Sequence, residues 1–396
     1  MSGRRILPGA TIGILGGGQL GRMMALRARE MGYRIAAMDA NADSPCGQVA
    51  DLEFVAPLDD LPTARKMASV SEVLTYEFEN VSDEMVRILE QESNLPQGGQ
   101  VLYITRHRIR EKMALASIGV PVAPWKPIRS FHDLQKAVAE LGLPCVLKTT
   151  SGGYDGKGQF VIRNKEEIEP AWEELGAAWS ETGTELPTGS EPEFTEQAAP
   201  LVLEGWVPFE KELSVIAARN ADGEVKTFPT AENIHRENIL HLSIVPARIP
   251  SEADRMAQQL AAKIADELDV IGLIAVEMFW RDGRLLVNEL APRPHNSGHY
   301  TMDACVTSQF EQHVRAICNL PLGDTRLLSS VVMVNILGEH LQPVLDRVHR
   351  LTGGAKIHLY GKSEVQPKRK MGHLNVLADR VEDALQQIRD WGIWQV

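Results

Sequence analysis

Two glutamates flank a turn. Glu277 lies in Ala275-Val276-Glu277-Met278-Phe279 and Glu289 in Val287-Asn288-Glu289-Leu290-Ala291, on either side of Asp282-Gly283. Apolar residues surround both, so the stretches read as the two strands of a hairpin. A loop centred on Gly283 sets Glu277 opposite Glu289, with the side chains about 5 Å apart at Cβ. A strict two-residue Asp-Gly turn sets Glu277 opposite Asn288 instead. Facing carboxylates repel unless a cation or a shared proton relieves them. Magnesium, a hard ion that takes carboxylate and phosphate oxygens, answers that need. Two solvated surface glutamates are the plain alternative.

A glycine loop points to phosphates. Ser151-Gly152-Gly153-Tyr154-Asp155-Gly156-Lys157-Gly158 lacks the spacing of a Walker A loop. Between two strands it suits a flap whose backbone N–H groups and Lys157 cover an anion, with Lys148 as a second point charge. An ordinary hairpin turn is the alternative. Further on, Arg293, His295, Asn296, Ser297 and His299 crowd one turn, a density suited to a small polar anion or to a helix N-cap at Asn296 or Ser297. Lys362 and Lys368-Arg369-Lys370 precede Gly372-His373 near the end, as a phosphate site or as solvated surface. Gly16, Gly18 and Gly21 satisfy G-x-G-x-x-G, and Asp39 stands about twenty residues on, where a dinucleotide fold places its ribose acid. Glycines at a helix start suit any phosphate, so that loop alone leaves NAD, FAD and other ligands open.

The elements that must position these groups follow from periodicity. Residues 11–39 read strand, glycine turn, helix from Leu20 to Met31, and a strand from Ile35 to Asp39. This βαβ opening predicts a parallel sheet with helices on both faces. Alternation of helix and strand continues to about residue 104. A helix is expected from Arg110 to Ile118, then strands from Leu143 to Lys148 and from Gln159 to Ile162. Residues 176–200 are rich in Gly, Ser, Thr, Pro and Glu and read as a surface loop or insertion. Apolar residues at 253, 256, 257, 260, 261, 264, 265 and 268 predict a helix from Ser251 to Leu268, with Ser251 and Asp254 resembling a capping box. Strands and one helix are expected across 330–396.

Composition bounds the rest. With 396 residues the chain suggests two or three domains. Charged residues at 24% and hydrophobic ones at 44% exclude collagen, coiled coil and wholesale disorder. The net charge of −12 disfavours nucleic acid as a partner. Cys46, Cys145, Cys305 and Cys318 form no C-x-x-C pair and read as reduced thiols of a cytoplasmic protein. No apolar run approaches the 18 residues of a membrane span, so no membrane partner is expected. The start reads as a first strand and not a signal peptide, because Pro8 and several glycines break its apolar stretch.

Together these segments resemble the ATP-grasp ligases, most closely the N5-carboxyaminoimidazole ribonucleotide synthetases of purine biosynthesis. The resemblance is carried by Gly16–Met23 (GGGQLGRM), Gly152–Gln159 (GGYDGKGQ), Asn288–Arg293 (NELAPR), His295–His299 (HNSGH) and Arg369–Asn375 (RKMGHLN). It spans the chain to about residue 377. It implies an α/β and α+β chain with the ATP-grasp fold. A Rossmann-like, parallel-sheet domain would occupy 1–111 and the ATP-grasp region 112–299, divided into a flap-bearing part at 112–203 and a metal and nucleotide part at 204–299. A C-terminal lobe at 300–396 would complete the cleft. The implied reaction phosphorylates bicarbonate with ATP to carboxyphosphate, then carboxylates the amine of 5-aminoimidazole ribonucleotide. Magnesium, or manganese in its place, and a homodimer belong to the same implication.

Residue by residue, the resemblance assigns Arg108 and Lys148 to the ATP phosphates and Gly153, Tyr154, Asp155, Gly156, Lys157 and Gly158 to the flap. Glu204, Gly205, Trp206 and Val207 match the hinge that reads adenine, and Glu212 the ribose acid. His235, Asn288 and Glu289 match further nucleotide contacts, and Glu277 with Glu289 the metal ligands. The ribonucleotide side takes Gly18, Gln19, Leu20, Glu77, Tyr154, His295, Asn296, Ser297, Lys362 and Arg369. Arg293 and Lys370 face the carboxyphosphate, and Asp155 or Lys370 assists the proton transfer. Asp39 is then no NAD ligand. Many ATP-grasp enzymes carry Asn two positions after the second metal glutamate; Ala291 stands there, which favours a two-carboxylate site. An NAD-dependent oxidoreductase leaves the second glycine loop and the paired glutamates unexplained, and a biotin carboxylase-like enzyme leaves HNSGH and RKMGH unexplained. Every implied ligand is an anion. Arg108, Lys148, Lys157, Arg293, Lys362, Arg369 and Lys370 must therefore converge to make an acidic protein locally positive.

Overall fold

The βαβ opening forms where the pattern places it. Thr11–Leu15 (β1), Arg34–Asp39 (β2), Leu52–Val55 (β3) and Val73–Tyr76 (β4) make a parallel sheet in the order β3-β2-β1-β4. Ile12 of β1 pairs with Ile35 on one side and Val73 on the other. Helix Gln19–Glu30 buries Leu20, Met23, Met24, Ala25 and Ala28. That apolar face is shared with Phe310, Val314 and Ile317 of helix Gln309–Ile317, and with Tyr360. Distant parts of the chain thus close the first sheet. The computed structural model describes residues 4–153, 157–176, 199–351 and 353–395.

A second, antiparallel sheet comprises Trp125–Ile128 (β5), Cys145–Thr149 (β6), Gln159–Ile162 (β7) and Leu201–Gly205 (β8), in the order β5-β8-β6-β7. Leu134, Val138 and Ala171 from two covering helices pack on Leu147 and Leu203. The strand expected from Leu143 begins at Cys145, since Pro144 has no N–H for the ladder.

The third sheet spans the remaining chain. Its strands are Lys211–Arg219 (β9), Val225–Thr227 (β10), Ala231–Arg236 (β11), Ile239–Val245 (β12), Gly272–Arg281 (β13), Arg284–Ala291 (β14), Ser330–Leu337 (β15), Ala355–Leu359 (β16) and Lys370–Ala378 (β17). They run β14-β13-β9-β11-β12-β15-β17-β16, with β10 beside β9. The strands bearing Glu212, His235, Glu277, Glu289 and Lys370 therefore share one hydrogen-bonded surface.

Helix Ser251–Glu267 lies against β9 and β13 through Ala257, Ala261, Ile264 and Ala265. Its start differs from the expected capping box. Pro250 is the N-cap, Ser251 is already helical, and the Asp254 N–H bonds the Pro250 carbonyl. Met256, counted on the apolar face, is exposed, because small alanines carry the close approach to the sheet. The end of the chain holds two helices, Gly338–Asp346 and Val381–Trp391, where one was expected. Pro343 inside the first removes a ladder bond and obscures its period. All four cysteines are free and buried. Among the described residues, no helix is long and apolar enough to cross a membrane.

Candidate active site

The hairpin of β13 and β14 satisfies both registers read from the sequence. Asp282 and Gly283 have φ of 49° and 73°, the left-handed pair that a tight two-residue turn requires. Arg281 then faces Arg284, and the tight register holds as far as Met278 opposite Val287. A β-bulge follows. It absorbs Asn288 and brings Glu277 opposite Glu289. β14 is the sheet edge, and two outside groups protect it. The Val287 N–H donates to the Pro121 carbonyl at 2.8 Å, and the Leu290 N–H to Glu111 Oε2 at 3.0 Å.

Burial, reinforced by the charge of Glu289, pushes the Glu277 carboxyl well up. Burial likewise raises Glu111 to about 8, opposed by Lys112 and reinforced by Glu289. This is a site short of positive charge. Arg108 supplies some: its Nη1 is 3.5 Å from Glu289 Oε2. Nearby, Glu212 Oε2 lies 2.6 Å from His235 Nδ1. Burial works against the His235 imidazolium, but the Glu212 bond and charge outweigh it, so the histidine pKa is raised. No group of three or more His, Cys, Asp or Glu side chains arranged for a metal occurs among the described residues. The facing carboxylates of Glu277 and Glu289, short of positive charge, fit a hard cation.

Lys148 and Glu204 meet in an arrangement invisible to the sequence. Glu204 Oε2 is 2.8 Å from Lys148 Nζ and Oε1 is 3.0 Å from Lys112 Nζ, with Glu204 and Lys112 both buried. Lys148 is thereby held at the base of the glycine loop. Trp206 and Val207 follow β8 on a more exposed segment. The loop's neck is tight. The Thr149 N–H bonds the Gly158 carbonyl at 2.8 Å, Gly158 has φ +70°, and a Cβ there would meet Thr149 Oγ1 at 2.5 Å. The Arg108 backbone N–H donates to the Thr150 carbonyl at 2.9 Å, which ties the start of its helix to that neck. Tyr154, Asp155 and Gly156 lie outside the described residues, as do residues 177–198 of the Gly- and Ser-rich segment.

The HNSGH turn stands beside the glutamates. His295 Nε2 is 3.3 Å from Glu277 Oε1, and His295 Nδ1 is 2.9 Å from Ser297 Oγ. Burial, then the charges of Arg293 and Lys370, hold His295 well below the usual histidine range. Ser297 continues into a buried chain through Ser214 (2.8 Å), Asn233 (2.9 Å) and Ser243 (2.8 Å). The buried amide N and O of Asn296 have no protein partner among the described residues. Arg293 Nε is 3.2 Å from Glu79 Oε1.

The first glycine loop already holds anions, but from the protein itself. The Gly17 N–H donates to Asp39 Oδ2 at 2.9 Å, and the N–H groups of Gly18 and Gly21 donate to Glu77. Asp39 is thus a clasp for the loop. Burial raises the Glu77 carboxyl to about 7 against those two N–H bonds. Gln19 and Leu20 open the helix beside this pair. Lys362 Nζ donates to the Lys370 carbonyl at 2.9 Å. Burial, with the charges of Arg369 and Lys370, lowers Lys362 to about 8, while Glu77 pulls the other way. The C-terminal cations therefore act on the N-terminal loop. Glu79, Lys112, Glu111, Ser214, Asn233 and Ser243 were not singled out from the sequence. Each looks there like an ordinary helix, loop or strand residue, and only its partner gives it a role.

Comparison with known proteins covers the chain from end to end. A family described as "Ribonucleotide synthetase preATP-grasp domain" matches residues 9–105, "ATP-grasp domain" matches 113–310, and "Phosphoribosylaminoimidazole carboxylase C-terminal domain" matches 331–387. The chain is 50% identical to an N5-carboxyaminoimidazole ribonucleotide synthase of Bacillus subtilis over 389 residues, covering 98% of this chain and 97% of that one. A crystal structure of an ADP complex of such a synthetase superposes with a TM-score of 0.91 at 54% identity, covering 99% and 98% of the two chains. One from Aspergillus clavatus, in complex with ADP and the aminoimidazole ribonucleotide, gives 0.85 at 30% identity over 99% and 98%.

Proposed function

The chain belongs to the N5-carboxyaminoimidazole ribonucleotide synthases, ATP-grasp ligases of purine biosynthesis, and we propose that it carboxylates the amine of 5-aminoimidazole ribonucleotide with bicarbonate through carboxyphosphate. One observation carries the reading. The bulge at Asn288 faces Glu277 with Glu289, and Glu277 is also in contact with His295, so the metal and ribonucleotide sides adjoin.

In this reading a bicarbonate oxygen bonds to the γ-phosphorus of ATP as the bond to the ADP oxygen breaks. The amine nitrogen then attacks the carboxyl carbon, phosphate leaves, and the nitrogen loses a proton. Arg108 and Lys148 hold phosphate oxygens, with Glu204 aiming Lys148. Glu277 and Glu289 would hold magnesium, or manganese in its place, which would supply positive charge to offset that of the phosphates. Arg293 and Lys370 face the carboxyphosphate. The labile intermediate requires water to be excluded, a role the family resemblance gives to the glycine loop at 152–158. Glu204 to Val207 and Glu212 take the adenosine. Gly18 to Leu20, Glu77, Tyr154, His295 to Ser297, Lys362 and Arg369 take the ribonucleotide. The three-part division of the chain, a homodimer and a cytoplasmic location belong to the same reading.

ADP release, measured with ATP, magnesium and bicarbonate, should rise on adding 5-aminoimidazole ribonucleotide. No stimulation, together with tight NAD binding, overturns the reading. The Asp155→Asn variant should turn over far more than tenfold slower if Asp155 assists the proton transfer. Near-normal turnover takes that role from Asp155.

A further inference from the structure

Three imidazoles from three elements pack ring to ring in one column. The rings of His299 and His373 are 4.7 Å apart at their centroids and tilted by 33°, and those of His373 and His358 are stacked 4.6 Å apart with planes inclined by 18°. His299 ends the HNSGH turn, His373 lies in β17, and His358 faces it across the ladder in β16. Gln309 clasps one end. Its Oε1 accepts the His295 N–H at 2.9 Å, and its Nε2 donates to the His295 carbonyl at 2.8 Å and to His299 Nδ1 at 3.0 Å. The clasp is close enough that a Cβ on Gly298 would lie 2.5 Å from Gln309 Oε1. Asp303 clasps the other end. Its Oδ2 is 2.8 Å from His358 Nε2 and accepts from Asn375 Nδ2 at 2.7 Å. That amide also donates to the His299 carbonyl at 3.1 Å. Tyr360 OH lies 3.0 Å from His373 Nδ1.

None of His299, His358, His373, Gln309 or Asp303 has a role in the chemistry above, yet the column joins two segments that do. His299 closes the turn of His295, Asn296 and Ser297, and His373 shares β17 with Lys370, whose carbonyl holds Lys362 Nζ at 2.9 Å. Lys362 Nζ in turn sits 5.8 Å from the Tyr360 ring centroid. Rings in contact in a close-packed interior fix a spacing, because moving one forces the next. Burial, with the His358 and Lys370 charges, holds His299 to about 3, so a neutral ring serves as the spacer.

We propose that the His299–His373–His358 column, clasped by Gln309 and Asp303, is a positioning device that sets the HNSGH turn against Lys362 and Lys370 and so determines affinity for the ribonucleotide. The proposal rests on the function assigned above. Its test uses His358, the partly exposed end of the column, with side-chain exposure of 24%, whose truncation opens no deep cavity. His358→Ala should raise KM for 5-aminoimidazole ribonucleotide about tenfold, while KM for ATP and ADP release without the ribonucleotide stay within about twofold. His358→Gln, whose amide can still donate to Asp303, should recover most of the affinity. An unchanged ribonucleotide KM in His358→Ala overturns the proposal, as does an equal rise in both KM values. If the wild-type enzyme shows no response to the ribonucleotide, the functional reading itself has failed.

Discussion

Glu289→Ala should abolish magnesium-dependent ATP turnover without unfolding the protein. Glu289 faces Glu277 across the bulge and lies 3.5 Å from Arg108, so in the proposed function it is the carboxylate where metal and phosphate charge meet. Losing a residue that merely supports a metal ligand costs about 10- to 100-fold in affinity or activity. Losing the ligand itself should exceed about 100-fold. Stability should move the other way or not at all, because the Glu289 charge opposes ionisation of both Glu277 and Glu111. Initial rates of ADP release across a magnesium titration, alongside thermal unfolding, read both effects. A fully active variant removes Glu289 from the metal site, and an inactive variant that has also unfolded removes the electrostatic account.

The largest stability effect is expected at Glu204. Its one carboxylate is the direct ion-pair partner of both Lys148 and Lys112, in a setting where Glu204 and Lys112 are both buried. Glu204→Gln keeps the shape and takes the carboxylate away from both ammonium groups. Breaking a buried pair in this way costs about 3–5 kcal/mol, a large share of the roughly 5–15 kcal/mol that holds a typical domain. Burial alone would raise the Glu204 carboxyl, but the two lysines outweigh it and lower it to about 2. A depressed folded-state pKa gives stability that is present above the unfolded value of about 4.3 and is lost as pH falls towards the folded one. The gap between wild type and Glu204→Gln should therefore be full at pH 7 and shrink between about pH 4.3 and 2. Urea midpoints at these pH values measure it. Coincident midpoints at pH 7 would refute the assignment.

Much of the fold was legible because its signals are local. The strand at residues 11–15, the glycine turn and the helix after it follow from periodicity within a few turns of chain. So does the long helix at Ser251–Glu267, apart from its cap. The cap was misread because a Ser-x-x-Asp spacing suits either an N-cap or a first turn, and Pro250 took the N-cap. Residues 330–396 hold two helices where the pattern suggests one, and in Gly338–Asp346 an internal proline mimics a break.

At the site, residue types were legible and partners were not. The sequence offered two registers for the glutamate hairpin, and the tight turn and the bulge together use both. It identified Lys148 and Glu204 but not their ion pair across 56 positions, and Arg108 but not its approach to a glutamate 181 positions away. It marked Gly298 within a motif but not the Gln309 side chain that a Cβ there would strike.

By itself, then, the sequence determined the local elements, the motif residues and, through its resemblance, the family and its chemistry. The tertiary structure decided which charges meet. A protein of net charge −12 can attract anions only where its cations gather, and that gathering depends on separations of a few ångströms between residues far apart in the chain. Coulomb interactions fall off with distance and strengthen on burial, and neither distance nor burial is written in the order of the residues.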